Sequence, residues 1–315
     1  MLAMTTLVAT SVVRGSRQGE SHGGVYLIDL DNERVLRTVD WDTGDIDWQG
    51  RGWDRGLRGI AFDGDRVFIA ASDELFVYDH TFNQLTSYRC PYLKHCHEIS
   101  RYERRLYLTS TGFDSVLGFD LERNHFAWGL SVSRDKKGLR AVPFDPESRH
   151  GPPLHNELHI NSVFCDSRAM YISGLHTAGL HAYTGKYINR VATLPDGTHN
   201  ARPYRSGVLF NDTQKNVVRF VPQQGKQGVF HLPIYNPSLL THTELDDTRV
   251  ARQAFGRGLC VIDHGLIAGG SSPSTVTLYD LDQMKTKLSL NLSLDIRNAI
   301  HGLEAWPFEG PQTTN

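Results

Sequence analysis

The sequence predicts an all-β fold, a six-bladed β-propeller, and three observations carry that prediction. Helix signals are nearly absent: no long apolar stripe of 3.6-residue period runs through the chain, and 29 glycines interrupt it. Short β-branched and aromatic runs, separated by Gly, Asp and Asn, recur instead as strand, turn, strand, loop, strand. Six segments also open alike: Arg58-Gly-Ile-Ala-Phe, His97-Glu-Ile-Ser-Arg, His159-Ile-Asn-Ser-Val, His199-Asn-Ala-Arg-Pro, Arg257-Gly-Leu-Cys-Val and His301-Gly-Leu-Glu-Ala. Their leading residues are 39, 62, 40, 58 and 44 positions apart, the spacing of four-stranded propeller blades.

The elements follow in order. Thr6-to-Val13, Gly24-to-Asp31 and Arg34-to-Val39 read as three strands with no leading element of their own. Gly59-to-Asp79 is the first complete unit, with Leu85-Thr-Ser-Tyr as its fourth run. Glu98-to-Asp120, Ile160-to-Tyr183, Asn200-to-Val221 and Gly258-to-Asp280 repeat the pattern, and several units end their third run in Tyr-Asp or Phe-Asp. The sixth leading element, at His301, supplies one strand before the chain stops. Its missing partners are the three N-terminal strands, so the ring closes with strands from both ends and hides its sheet edges. A seven-bladed ring is the alternative, if an insertion conceals a degenerate unit. The two long intervals point to insertions near 133–156 and 222–254, rich in Gly, Pro and charge as surface excursions are. The chain as a whole, 1–315, reads as one propeller domain.

A net charge of −2 offers no basic field for nucleic acid or an anionic membrane, and no apolar run is long enough to span a bilayer. No Lys or Arg precedes the apolar run from Met1 to Val13, which reads as a strand rather than a secretion signal. Cys90, Cys96, Cys165 and Cys260 lack CxxC spacing and read as reduced buried thiols, so a cytoplasmic protein is expected.

In a propeller the first strand of each blade lines the central channel, so the leading residues ring one mouth. His97, His159, His199 and His301 then converge from four blades. Neutral imidazole is a common ligand of Zn, Fe, Cu and Ni, so the four His residues are the expected metal ligands. Arg58 and Arg257 complete the ring as an expected clamp for an anionic substrate, since guanidinium binds carboxylate or phosphate bidentately. Glu98 and Glu304 are placed to pair with these arginines or to orient the His ligands. His176, in a loop on the same face, is an acid–base candidate, and Tyr204, a further catalytic candidate, and Arg202 follow closely behind His199, within expected reach of substrate. No Gly-rich phosphate loop and no nucleophile elbow is present.

With these elements in view, residues 95 to 308 resemble a little-characterised bacterial β-propeller family. Its blades open with His-Asp/Glu, His-Leu-Asn-Gly, Pro-His-Ser-Pro-Arg and Arg-Gly-Leu. The counterparts here are His97-Glu98, His159-Ile-Asn161-Ser, Thr198-His199-Asn-Ala-Arg202 and Arg257-Gly-Leu, with Gly270-Ser-Ser-Pro273 resembling a further segment. Asn200 and Ala201 depart from the Ser-Pro pair. In site logic alone the ring is similar to two other groups: the six-bladed peptidyl-hydroxyglycine amidating lyases, with a His-held zinc, and the carotenoid-cleavage oxygenases, with a four-His Fe(II).

The function these readings lead to is a metal-dependent enzyme acting on a small, anionic molecule at the channel mouth. Four neutral ligands favour an Fe(II) oxygenase, with Zn or Cu possible. The alternatives are a Zn-dependent lyase or hydrolase, a metal-free lyase or epimerase, and a non-enzymatic propeller that binds a ligand or protein.

Overall fold

The computed structural model describes residues 6–17, 19–42, 56–136, 138–244 and 251–309. Six antiparallel sheets form the blades of a β-propeller. Blade 1 takes β1 (Thr6–Val13), β2 (Gly24–Asp29) and β3 (Arg34–Asp40), and blade 2 takes β4 (Leu57–Asp63), β5 (Arg66–Ala71), β6 (Glu74–Tyr78) and β7 (Gln84–Arg89). Blade 3 comprises β8 (Ile99–Tyr102), β9 (Arg105–Ser110), β10 (Ser115–Asp120), β11 (His125–Asp135) and β12 (Gly138–Phe144). Blade 4 holds β13 (Ile160–Cys165), β14 (Met170–Gly174), β15 (Gly179–Tyr183) and β16 (Ile188–Thr193). Blade 5 holds β17 (Thr198–Tyr204), β18 (Gly207–Asp212), β19 (Val217–Pro222) and β20 (Gly228–His231). Blade 6 holds β21 (Leu259–Val261), β22 (Leu266–Ser271), β23 (Thr275–Asp280) and β24 (Lys285–Asn291). The last strand, β25 (Asn298–Ala305), pairs with β1 and becomes the inner strand of blade 1. The six-blade count and the closure by both ends of the chain are therefore as the repeat implied; helix is confined to two single turns among the described residues.

Burial falls outward along each blade, which is why the units read so regularly. In blade 2, β5 and β6 are almost wholly buried and β7 is mostly exposed. The core lies between blades, for example Phe68 and Leu75 of blade 2 against Leu108 and Phe119 of blade 3. The recurrent Asp that ends the third strand has a local purpose. Asp29, Asp79, Asp120 and Asp280 each accept backbone N–H bonds from the turn into the fourth strand, as Asx-turns. The Arg123 amide leads the causes that hold Asp120 below its ordinary range, a side-chain bond from Asn32 those for Asp29, and a side-chain bond from Asn83 those that bring Asp79 down to about 2.

Both expected insertions carry strands. The first, expected over 133–156, contains the end of β11 and all of β12, which pair as a hairpin. Its charged residues Arg134 and Asp135 end β11, while Leu139 and Ala141 of β12 pack on the core between blades 3 and 4. The second, expected over 222–254, contains β20, whose Phe230 is buried in the core between blades 5 and 6. Residues 137 and 245–250 of these insertions lie outside the described residues.

Candidate functional site

All six leading residues stand at the inner strands. Arg58 lies in β4, His199 in β17 and His301 in β25, while His97, His159 and Arg257 immediately precede β8, β13 and β21. Four of these strands carry a register shift at or just beyond the leading residue: β4 between Leu57 and Ile60, β13 between Ile160 and Ser162, β17 between His199 and Arg202, and β25 opposite Ala9 and Ser11. A bulge re-aims the side chains beside it, here at a point where neighbouring inner strands crowd together. The crowding explains the Gly after Arg58 and after His301. A Cβ on Gly59 would meet Ile99 N at 2.7 Å, and one on Gly302 would collide with the carbonyl oxygen of Arg58.

The four imidazoles gather. The His97 ring centroid lies 5.5 Å from that of His159, 6.0 Å from His301 and 6.3 Å from His199. His97 Nδ1 is 2.7 Å from the carbonyl oxygen of His95 and 2.9 Å from Thr111 Oγ1, whose own proton goes to the carbonyl of Ile160. A carbonyl only accepts, so Nδ1 carries the proton and Nε2 keeps a lone pair, 3.3 Å from Nη1 of Arg58. His199 repeats the arrangement, with Nδ1 3.2 Å from the carbonyl of Gly197. Its Nε2, like that of His301, is buried with no hydrogen-bond partner among the described residues. His159 is partly exposed and holds a left-handed backbone, φ 52°. Asp114 fixes its segment: the carboxylate accepts from Glu157 N at 2.7 Å, Leu158 N at 2.8 Å and Ile160 N at 3.3 Å.

Burial first, then the charge of the two arginines, keeps these imidazoles unprotonated. His97, His199 and His301 are pushed well below the ordinary histidine range, and His159 to about 3. Arg58 and Arg257 are among the causes for His97, His159 and His301, and Arg257 for His199. Arg58 is wholly buried and Arg257 nearly so. Guanidinium donors thus stand beside uncharged imidazoles.

The donor chemistry fits a metal, since Nδ1 is engaged by carbonyl oxygens in His97 and His199 as in metal-bound histidines. The spacing does not: among the described residues no three His, Cys, Asp or Glu side chains are grouped to hold an ion.

His176 is exposed at the rim, close enough to His159 to lower its pKa, and its carbonyl accepts from Arg134 in the β11–β12 hairpin. Tyr204 is not part of the ring. It ends β17, five residues beyond His199, and an extended strand carries it about 16 Å away. Its hydroxyl donates to the carbonyl of His264. Glu98 and Glu304 do not orient the imidazoles' second nitrogens. Glu98 accepts from Val163 N at 3.1 Å and from Asn200 Nδ2 at 3.3 Å, and Arg202 is the leading charge partner of both carboxylates. Burial raises Glu98 and takes Glu304 to about 7.

Sequence reading missed Phe255. Guanidinium carbons of Arg252, Arg257 and Arg14 lie 4.6, 4.7 and 5.0 Å from its ring centroid, and the His199 ring lies 5.8 Å away. Phe255 belongs to a connecting loop and Arg14 follows β1, so neither has a counterpart in the repeat.

The four cysteines are free and buried, with burial raising each thiol. No helix among the described residues is long and apolar enough to cross a membrane.

No protein-family model matches the chain, and no curated protein matches its sequence. Solved structures do share its shape. A chain of a nidogen/laminin complex superposes with a TM-score of 0.59 at 11% identity, covering 96% of this chain and 98% of that one. AztD from Citrobacter koseri gives 0.49 at 10% identity over 98% and 100% of the two chains. Virginiamycin B lyase from Staphylococcus aureus gives 0.45 at 9% identity over 86% and 84%. At these identities the likeness is one of architecture: the chain is a β-propeller.

Proposed function

We propose that the channel mouth binds a small molecule through a carboxylate or phosphate held by Arg58 and Arg257, and that an imidazole beside it moves a proton. The reaction class is that of an epimerase, in which a proton on the carbon next to the anionic group is taken and one is returned to the opposite face, or of a lyase, in which the C–H electrons form a double bond as a leaving group departs from the neighbouring carbon with the abstracted proton. One observation carries this reading: the Nε2 lone pair of His97 stands 3.3 Å from the Arg58 guanidinium, with both side chains buried. An uncharged base and an anion clamp are thereby adjacent.

Calorimetry and thermal unfolding with malonate, malate and inorganic phosphate test it. At 100 times the dissociation constant, a ligand bound only by the folded state adds about 2.7 kcal/mol, a rise in Tm of about 4 °C for a chain of this size. Arg257→Gln should remove that rise. Unchanged Tm with all three probes would overturn the reading.

A second reading, a divalent metal on His97, His159, His199 and His301, is favoured by the buried, unpartnered Nε2 atoms of His199 and His301. An all-imidazole set suits Fe(II) and Zn alike. Metal analysis of untagged protein, before and after anaerobic reconstitution, separates the two readings. About one ion per chain supports the metal, and less than about 0.2 removes it.

A further inference from the structure

A cavity of about 340 Å³ opens between blades 3 and 4 where their inner strands end, at the face opposite the ring. Its floor is built by register. Tyr107 in β9, Gly118 in β10 and Trp128 in β11 stand directly opposite one another across three strands. The missing side chain at Gly118 lets the indole fold over the sheet, and a Cβ there would lie 3.3 Å from the Trp128 ring. Tyr107 meets Trp128 edge-on, with centroids 6.0 Å apart and planes at 90°. Blade 4 supplies the facing wall through Tyr183, 6.5 Å from Trp128. Pro143 adds a side from β12, the fifth strand that the other sheets lack.

The polar groups stand on both blades. Arg105 opens β9, and Asp166 follows β13 on the opposite side of the cleft. Trp128, Tyr107 and Tyr102 remain only partly buried, all three packed against the apolar cluster between blades 3 and 4.

We propose that this cleft is a binding site for a sugar ring. A pyranose has an apolar C–H face and a polar edge of hydroxyls that both donate and accept. The aromatic floor meets the first. The Arg105 guanidinium and the tyrosine hydroxyls meet the second, while Asp166 is held by Arg168 and the Ala169 amide. A quaternary ammonium would also suit the aromatic corner, but it would face the positive charge of Arg105. A wholly apolar ligand would make no use of the exposed Arg105 guanidinium. The cavity is large enough for one or two sugar units. The proposal is independent of the chemistry at the channel mouth.

The test is saturation-transfer NMR on the full chain with methyl β-glucopyranoside, methyl β-galactopyranoside, maltose and cellobiose. At least one should receive saturation at its ring C–H protons, with a dissociation constant on the order of 1 mM, as expected for a ligand of this size. Trp128→Ala should weaken binding at least tenfold, while Trp128→Phe, which keeps an aromatic floor and the packing, should weaken it less. The response to malonate at the mouth should be unchanged in both. No transfer to any of the four sugars at about 50 mM would overturn the proposal. Trp128-dependent binding of choline in their place would also overturn it.

Discussion

Nη1 of Arg58 stands 3.3 Å from Nε2 of His97, so a guanidinium faces the lone pair of a buried imidazole among the six leading residues. Neither strand could arrange this alone. Arg58 is set in a bulge of β4, and His97 is held by the His95 carbonyl and Thr111 just ahead of β8.

The imidazoles set a pH dependence. Burial and the arginines depress His97, His159, His199 and His301 below the unfolded value of 6.5. Below pH 6.5 the unfolded chain therefore binds protons that the folded chain refuses, and stability rises with pH up to that point. Tm should fall between pH 7.5 and 5.5, and His199→Asn should flatten the fall. A pH-independent Tm over that range would contradict the neutral ring. A bound anion favours the protonated imidazoles, so malonate binding should take up protons, read by calorimetry in two buffers of different ionisation enthalpy.

Gly302→Ala should cost about 3 kcal/mol in urea unfolding, because the new methyl group collides with the Arg58 carbonyl and with Thr10 Oγ1. The same change should lower malonate affinity, since the strand that yields is the one carrying Arg58.

Asp114→Ala should cost about 2 kcal/mol. It leaves the amides of Glu157, Leu158 and Ile160 without their acceptor. The loss should fall on the segment carrying His159, seen as faster amide exchange there than in blade 6.

Tyr204→Phe should leave anion binding unchanged and cost about 1 kcal/mol, the hydrogen bond to the His264 carbonyl. A selective loss of malonate affinity in this variant would return Tyr204 to the site.

The repeat is legible in the chain because each blade solves one local problem in one way. A buried pair of central strands, an Asp closing the turn to the fourth, and a leading residue ahead of the first all recur at a readable spacing. That periodicity predicts six blades, the closure of the first by β25, and the meeting of Arg58, His97, His159, His199, Arg257 and His301 at one mouth.

Whatever breaks the repeat had to wait for the tertiary structure. The β11–β12 hairpin hides behind the charge that ends β11, and Phe255 collects arginines from blade 1 and from two positions in its own loop. Tyr204 is near His199 in sequence but far from it along an extended strand. Glu98 and Glu304 were expected to serve the ring above, yet both share Arg202 as their leading charge partner. The hairpin and Tyr204 turn on whether a local segment is extended, which charge and sequence proximity do not reveal. For Phe255 with Arg14, and for the two glutamates with Arg202, the contacts span a hundred positions or more and exist only once the ring of blades has closed. The identities of the ring residues were set by the chain; the orientation of each lone pair, and the guanidinium that faces it, were set by the fold.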